Sequence, residues 1–157
     1  MTTISGLGHP KTFQVVTKKY AYFHTDGDDF LLVCEGGRRL CYYVPLQTQT
    51  PPNPVPLSIP LDSTPFGVSF DPVERRIYWT DEYGYINRAY LNDESKQVVV
   101  RGLSRPLGIE IDPVGRNIYF ADENENSIKI AKLDGSHAAA LVNVQSPQGI
   151  TLDISLG

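Results

Sequence analysis

A 17-residue pattern recurs at a fixed spacing and limits what this chain can fold into. Pro65-Phe-Gly-Val-Ser-Phe-Asp71-Pro-Val-Glu-Arg-Arg-Ile-Tyr78-Trp-Thr-Asp81 aligns with Pro106-Leu-Gly-Ile-Glu-Ile-Asp112-Pro-Val-Gly-Arg-Asn-Ile-Tyr119-Phe-Ala-Asp122. A third copy opens at Pro147-Gln-Gly-Ile-Thr-Leu-Asp153, so Asp71, Asp112 and Asp153 follow one another at intervals of 41 residues. Pro, Gly and Asp stay in phase across the three copies, and Tyr across the first two. Self-similarity at a period of roughly 40 residues marks a repeat architecture, in which each unit buries its apolar surface against its neighbours.

The unit is too short and too turn-rich for helices. Stretch 67–71 alternates apolar and polar residues, and Ile109 and Ile111 repeat the apolar phase. Asp71-Pro72 and Asp112-Pro113 then make turns, because Pro presets its backbone angle and Asp bonds nearby amides. Stretches 76–80 and 117–121 are β-branched and aromatic, as strands are. Residues 82–85 and 123–127 read as hairpin turns, 86–91 and 128–133 as third strands. Asn92-Asp93 and Asp134-Gly135 lead into outer strands at 97–100 and 138–142. Four strands per unit is the pattern of a propeller blade. The composition agrees: nine Tyr and six Phe against one Met and one Trp favour sheet.

Arg76-Ile-Tyr-Trp-Thr-Asp81, preceded by Gly-x-x-x-Asp-Pro and followed by Ile86-x-Arg-Ala-x-Leu91, resembles the YWTD repeat. This is the class B repeat of the low-density lipoprotein receptor family. Asn117-Ile-Tyr-Phe-Ala-Asp122, with Leu133-Asp-Gly-Ser behind it, is a degenerate copy. The resemblance covers about 65–153 and is weaker over 30–61, where Phe30-Leu-Leu-Val-Cys-Glu takes the YWTD place. It implies a six-bladed β-propeller of an extracellular receptor or matrix protein, used to bind other proteins. Six units of 41 residues need about 246 residues, and the chain has 157. The expected fold is therefore all-β: a partial propeller of about three to four four-stranded blades, not closed in one chain. The expected divisions are a divergent N-terminal segment, 1–29, offering an outer strand, and a divergent blade, 30–64, with a Pro-rich insertion at 47–56. A YWTD blade, 65–105, a degenerate blade, 106–146, and the first strand of a truncated blade, 147–157, follow.

Repetition also decides how single residues are read. Asp81 and Asp122 recur once per blade, so they are expected to serve the repeat as hydrogen-bond acceptors rather than as catalytic acids. Tyr78, Trp79, Tyr119 and Phe120 are expected to pack between blades, with Thr80 and Ala121 completing the motif. Cys34 and Cys41 face each other if Gly37-Arg38 centres their turn, and a disulfide can then form; if Gly36-Gly37 does, they fall out of register and stay thiols. No metal site or cofactor is expected, since no His stands near in a ligand pattern and no phosphate-binding Gly motif occurs.

The loops between blades and those between second and third strands should crowd onto one propeller face. Glu82, Tyr83, Arg105, Glu123, Asn124 and Gln148 are the candidate ligand contacts. The expected partner is a secreted or cell-surface protein, with self-association through open blade edges as a second interaction. A net charge of −4 argues against nucleic acid, and no run of apolar residues is long enough to span a membrane. The N-terminal stretch lacks the apolar core of a signal peptide, so an extracellular location rests on the resemblance. The main reading is a binding module and not an enzyme. The alternatives are a metal-dependent lactonase or esterase on a six-bladed propeller, and a truncated fragment with no independent function.

Overall fold

The computed structural model describes residues 2–4, 11–13, 19–24, 29–46, 53–91 and 93–153. Residues 47–52 of the Pro-rich insertion, Asn92, the end of the expected truncated blade at 154–157 and the rest of the N-terminal segment lie outside the described residues. The described chain contains strands and turns and no helix. A short hairpin pairs β1 (Thr2–Ile4) with β2 (Lys11–Phe13). Three four-stranded antiparallel sheets follow. The first holds β3 (Lys19–His24), β4 (Asp29–Glu35), β5 (Leu40–Pro45) and β6 (Val55–Pro56). The second holds β7 (Pro65–Asp71), β8 (Arg76–Asp81), β9 (Ile86–Tyr90) and β10 (Gln97–Val100). The third holds β11 (Pro106–Asp112), β12 (Asn117–Asp122), β13 (Ser127–Lys132) and β14 (Ala139–Asn143). Each is an up-and-down meander, and the three stack without closing a ring. The fold is a partial β-propeller.

The apolar content of β8 follows from this stacking, because both faces of the middle sheet are covered. Ile77 and Trp79 point to one side, into a cluster with Phe30, Leu32, Cys34, Cys41, Val68 and Phe70. Tyr78 points to the other, among Ile86, Ile109, Ile111, Ile118 and Phe120. A strand buried on both faces loses the apolar–polar alternation of a half-solvated one. The first strands β7 and β11 run so close that a Cβ built on Gly67 would lie 2.3 Å from the Leu107 carbonyl oxygen. Only glycine allows that approach.

Thr80 ties the same two strands. Its Oγ1 accepts from the Gly67 amide (2.9 Å) and donates to the Leu107 carbonyl (2.7 Å). Ser69 Oγ adds a second tie, donating to Glu110 Oε1 (3.1 Å) and accepting from the Ile111 amide (3.2 Å). Burial raises the Glu110 carboxyl above its usual range, and the Ser69 bond opposes that rise only in part. A raised acid binds its proton more tightly folded than unfolded, so stability falls as pH rises from the unfolded value through the folded one. Glu110→Gln keeps an acceptor for Ser69 and removes the charge. It is expected to stabilise the protein more at pH 7 than at pH 4, as urea titrations at the two pH values will show.

Two segments depart from the expected divisions. The first sheet does not begin at residue 30: β3 pairs with β4 along its length, from Lys19↔Cys34 to His24↔Asp29, as the sheet's first strand and not as an outer one. Nothing in Lys19-Tyr-Ala-Tyr-Phe-His carries the Pro and Asp-Pro marks of the later first strands, so its place depends on pairing alone. At the other end, residues 147–153 form no strand. They nevertheless lie against β11 as β11 lies against β7, since a Cβ on Gly108 would sit 2.7 Å from the Gln148 carbonyl oxygen and 2.9 Å from Gly149 Cα. Among the described residues no second strand follows to pair with them.

The turn after β4 settles the cysteines. The Arg39 amide donates to the Gly36 carbonyl (3.3 Å), which puts Gly37 and Arg38 at its centre. Cys34 and Cys41 are then directly opposite, 4.1 Å apart at Cα, and are joined by a disulfide. The bridge is buried in the core between the first and second sheets.

Candidate binding face

The motif aspartates build the loops at one end of the stack. Asp81 is wholly buried, and its carboxylate organises the turn that follows β8. Oδ1 accepts from the amides of Tyr83 (3.0 Å) and Tyr85 (3.1 Å). Oδ2 accepts from Ser63 Oγ (2.8 Å) and Asn87 Nδ2 (2.8 Å). Asp122 is equally buried and has other partners. It accepts from the amides of Ser104 (3.2 Å) and Arg105 (2.9 Å) and from Lys129 Nζ (3.2 Å). Asp81 thus ties the β8–β9 turn, and Asp122 the strand β13, to the loop that enters its own sheet.

Asp71 and Asp112 shape the opposite end. Asp71 Oδ1 accepts from the Val73 amide (3.1 Å), and Asp112 Oδ1 from Val114 (3.0 Å) and Gly115 (2.8 Å). Arg116 reaches back to the preceding sheet, to Asp71 Oδ1 (2.7 Å) and Glu74 Oε1 (2.6 Å). These carboxylates are engaged in holding turns. Among the described residues no three His, Cys, Asp or Glu side chains come together as a metal cluster.

Four of the six candidate contacts fall into two bonded groups on the face built by Asp81 and Asp122. The Glu82 amide donates to the Thr64 carbonyl (3.1 Å), and its carboxylate accepts from the Thr64 amide (2.9 Å) with Arg39 Nη2 3.5 Å away. The Thr64 bonds hold the exposed Glu82 carboxyl below its ordinary range. One repeat on, the Glu123 amide donates to the Arg105 carbonyl (3.0 Å), and its carboxylate meets Arg105 Nη1 (2.6 Å) and Gln148 Nε2 (3.2 Å). Arg105 keeps 54% of its side chain exposed, so that pair adds little to stability. Tyr83 and Asn124 stand at the turn tips without joining either group, and Tyr83 is 60% exposed. Beside Tyr83, the Arg101 guanidinium lies 5.3 Å from the Tyr85 ring. The face thus offers two Tyr and two Arg around the boundary between the second and third sheets.

Ser63, Asn87 and Lys129 were not singled out from the sequence, although they hold the motif aspartates in place. Asn87 stands opposite Trp79, and Lys129 opposite Phe120. The signal was available in the strand pairing: the third-strand residue facing the YWTD Trp position turns its polar group to the Asp.

Comparison with known proteins gives two kinds of finding. The family model of the low-density lipoprotein receptor repeat class B matches residues 116–154. The fold is similar to the nidogen β-propeller in the crystal structure of a nidogen/laminin complex, with a TM-score of 0.75 and 26% identity, over 92% of this chain and 57% of that one. The chain thus spans little more than half the length of that structure. It is also similar to hydrazine synthase of Kuenenia stuttgartiensis, at a TM-score of 0.57 and 15% identity, over 76% of this chain and 34% of that one. At that identity the likeness is one of fold. No curated protein sequence matches the chain.

Proposed function

We propose that this chain, which carries low-density lipoprotein receptor class B repeats in a partial β-propeller, is an extracellular protein-binding module. The observation that carries the reading is the convergence of the repeat's loops on one face, where Tyr83, Arg101 and Arg105 stay exposed beside bonded carboxylates. Exposed Tyr and Arg on a rigid scaffold are the residues that anchor protein interfaces. The likeness to nidogen in a nidogen/laminin complex supports a protein as ligand, and the disulfide supports an oxidising compartment. The motif carboxylates support binding over catalysis, because turns and buried partners occupy them. The reading includes self-association through open sheet edges.

Immobilised laminin and a panel of secreted proteins are the probes. One of them is expected to bind the chain, and the double substitution of Tyr83 and Arg105 by Ala to weaken that binding by about 30-fold, the size of a single hot-spot loss. Absence of binding to every probe, or binding indifferent to the double substitution, would overturn the reading.

A further inference from the structure

The chain carries three pairs of adjacent basic residues, Lys18-Lys19, Arg38-Arg39 and Arg75-Arg76. An endoprotease that reads such pairs needs the second residue and the bond after it within reach, and it binds its substrate extended. Exposed loop tips with small and polar residues are where folded chains are cut. Two of the three bonds are closed to such an enzyme. The bond after Lys19 lies within β3, where Lys19 and Tyr20 pair with Cys34 and Val33. Arg76 and Ile77 open β8 and pair with strands on both edges. Ile77 is fully buried, and the Arg76 side chain, only 14% exposed, is held by Glu74 and the Tyr90 hydroxyl.

The bond between Arg39 and Leu40 is open. Gly37, Arg38, Arg39 and Leu40 are all exposed, the Arg39 side chain at 48% and Leu40 at 37%. Among the described residues Leu40 pairs with Glu35 alone, since β6 pairs with Tyr42 and Tyr43. Arg39 has a φ of 52°, a left-handed shape that a residue with a Cβ holds at a cost. Straightening it in a protease cleft relieves that strain. Its guanidinium must leave the Asp62 carbonyl (3.1 Å) and Glu82 (3.5 Å), contacts near the surface that hold little. The exposure belongs to the turn and not to the sheet's place in the stack. Tyr83, in the same turn of the second sheet, stays exposed although clusters cover both faces of that sheet.

Cys34 and Cys41 bracket this turn, so a cut after Arg39 leaves both pieces on one covalent bridge. The bridge is buried, and β4 and β5 stay paired beyond it. We propose that Arg38-Arg39 is a processing site, cut by a serine endoprotease specific for paired basic residues to give a nicked chain that its disulfide holds together. Water adds across the Arg39–Leu40 amide: the C–N bond breaks, Arg39 gains a carboxylate and Leu40 an amino group. Both new charges lie on the face that carries Tyr83, beside Glu82. The proposal shares the oxidising compartment with the binding reading and uses none of its contacts.

The oxidised protein is incubated with a purified subtilisin-like endoprotease of paired-basic specificity and run on gels with and without reductant. One band is expected without reductant and two with it, and N-terminal sequencing of one fragment is expected to begin at Leu40. Arg39→Gln is expected to slow the cut at least about hundredfold, because a pocket built for a charged group rejects a side chain without it. Arg38→Gln repeats the test from the first position of the pair and is expected to slow the cut as well. Arg75→Gln is expected to leave the rate unchanged. No cut, a first cut at another bond, a rate indifferent to both substitutions in the pair, or two bands without reductant would overturn the proposal. A cut chain that binds no protein probe overturns the binding reading alone, and an uncut chain that binds one overturns this proposal alone.

Discussion

Asp81→Ala is expected to lower the unfolding free energy by about 3 kcal/mol, since it strands buried donors that the carboxylate now satisfies. Ser63 and Asn87 reach it from inside the core, and the Tyr83 and Tyr85 amides reach it from the turn. The two amides can turn to water in the variant. Asn87 cannot do so easily, because it is itself fully buried. Asp81→Asn keeps one acceptor oxygen and should cost less. Urea denaturation of the three proteins measures the differences. A loss below about 1 kcal/mol for Asp81→Ala would mean that its turn is held by other contacts.

Trp79→Ala should cost more, about 3–5 kcal/mol, as expected for the loss of a large buried aromatic side chain. Trp79 heads the fully buried side chains by volume and packs in the cluster between the first and second sheets. Its Nε1 makes no hydrogen bond, so Trp79→Phe, which installs the residue found at position 120, removes volume without orphaning a polar group. That change should cost less than Trp79→Ala, because it leaves a smaller cavity. A thermal melt distinguishes the two. If Phe proved as harmful as Ala, the Trp would have a role other than filling space.

The repeat made the second and third sheets legible, because a period imposes one register on every copy. Pro65 and Pro106, the Asp-Pro turns and the two motif strands all fall at equal spacing, and the sheets follow them. The partners of the motif aspartates were harder to read. The turn after Asp122 holds one residue more than the turn after Asp81, which sets Asn87 against Lys129 at a spacing of 42. An alignment at 41 pairs Asn87 with Ile128 instead and hides the shared role. Position 19 as the start of the first sheet was illegible for another reason: a strand without turn residues before it announces no boundary. Register in the Cys34–Cys41 hairpin stayed open because two adjacent glycines and two arginines allow either centre, and one residue of slip reverses every side chain.

The Cys34–Cys41 bridge also bears on the order of events during folding. It spans seven positions in sequence, so its two sulfurs meet as soon as one hairpin forms. A hairpin closes in microseconds, long before contacts distant in sequence are made. With only two cysteines in the chain, oxidation has a single intramolecular product and no wrong pairing to undo. The covalent step therefore requires none of the three stacked sheets, and the stacked sheets inherit a hairpin whose register is already fixed.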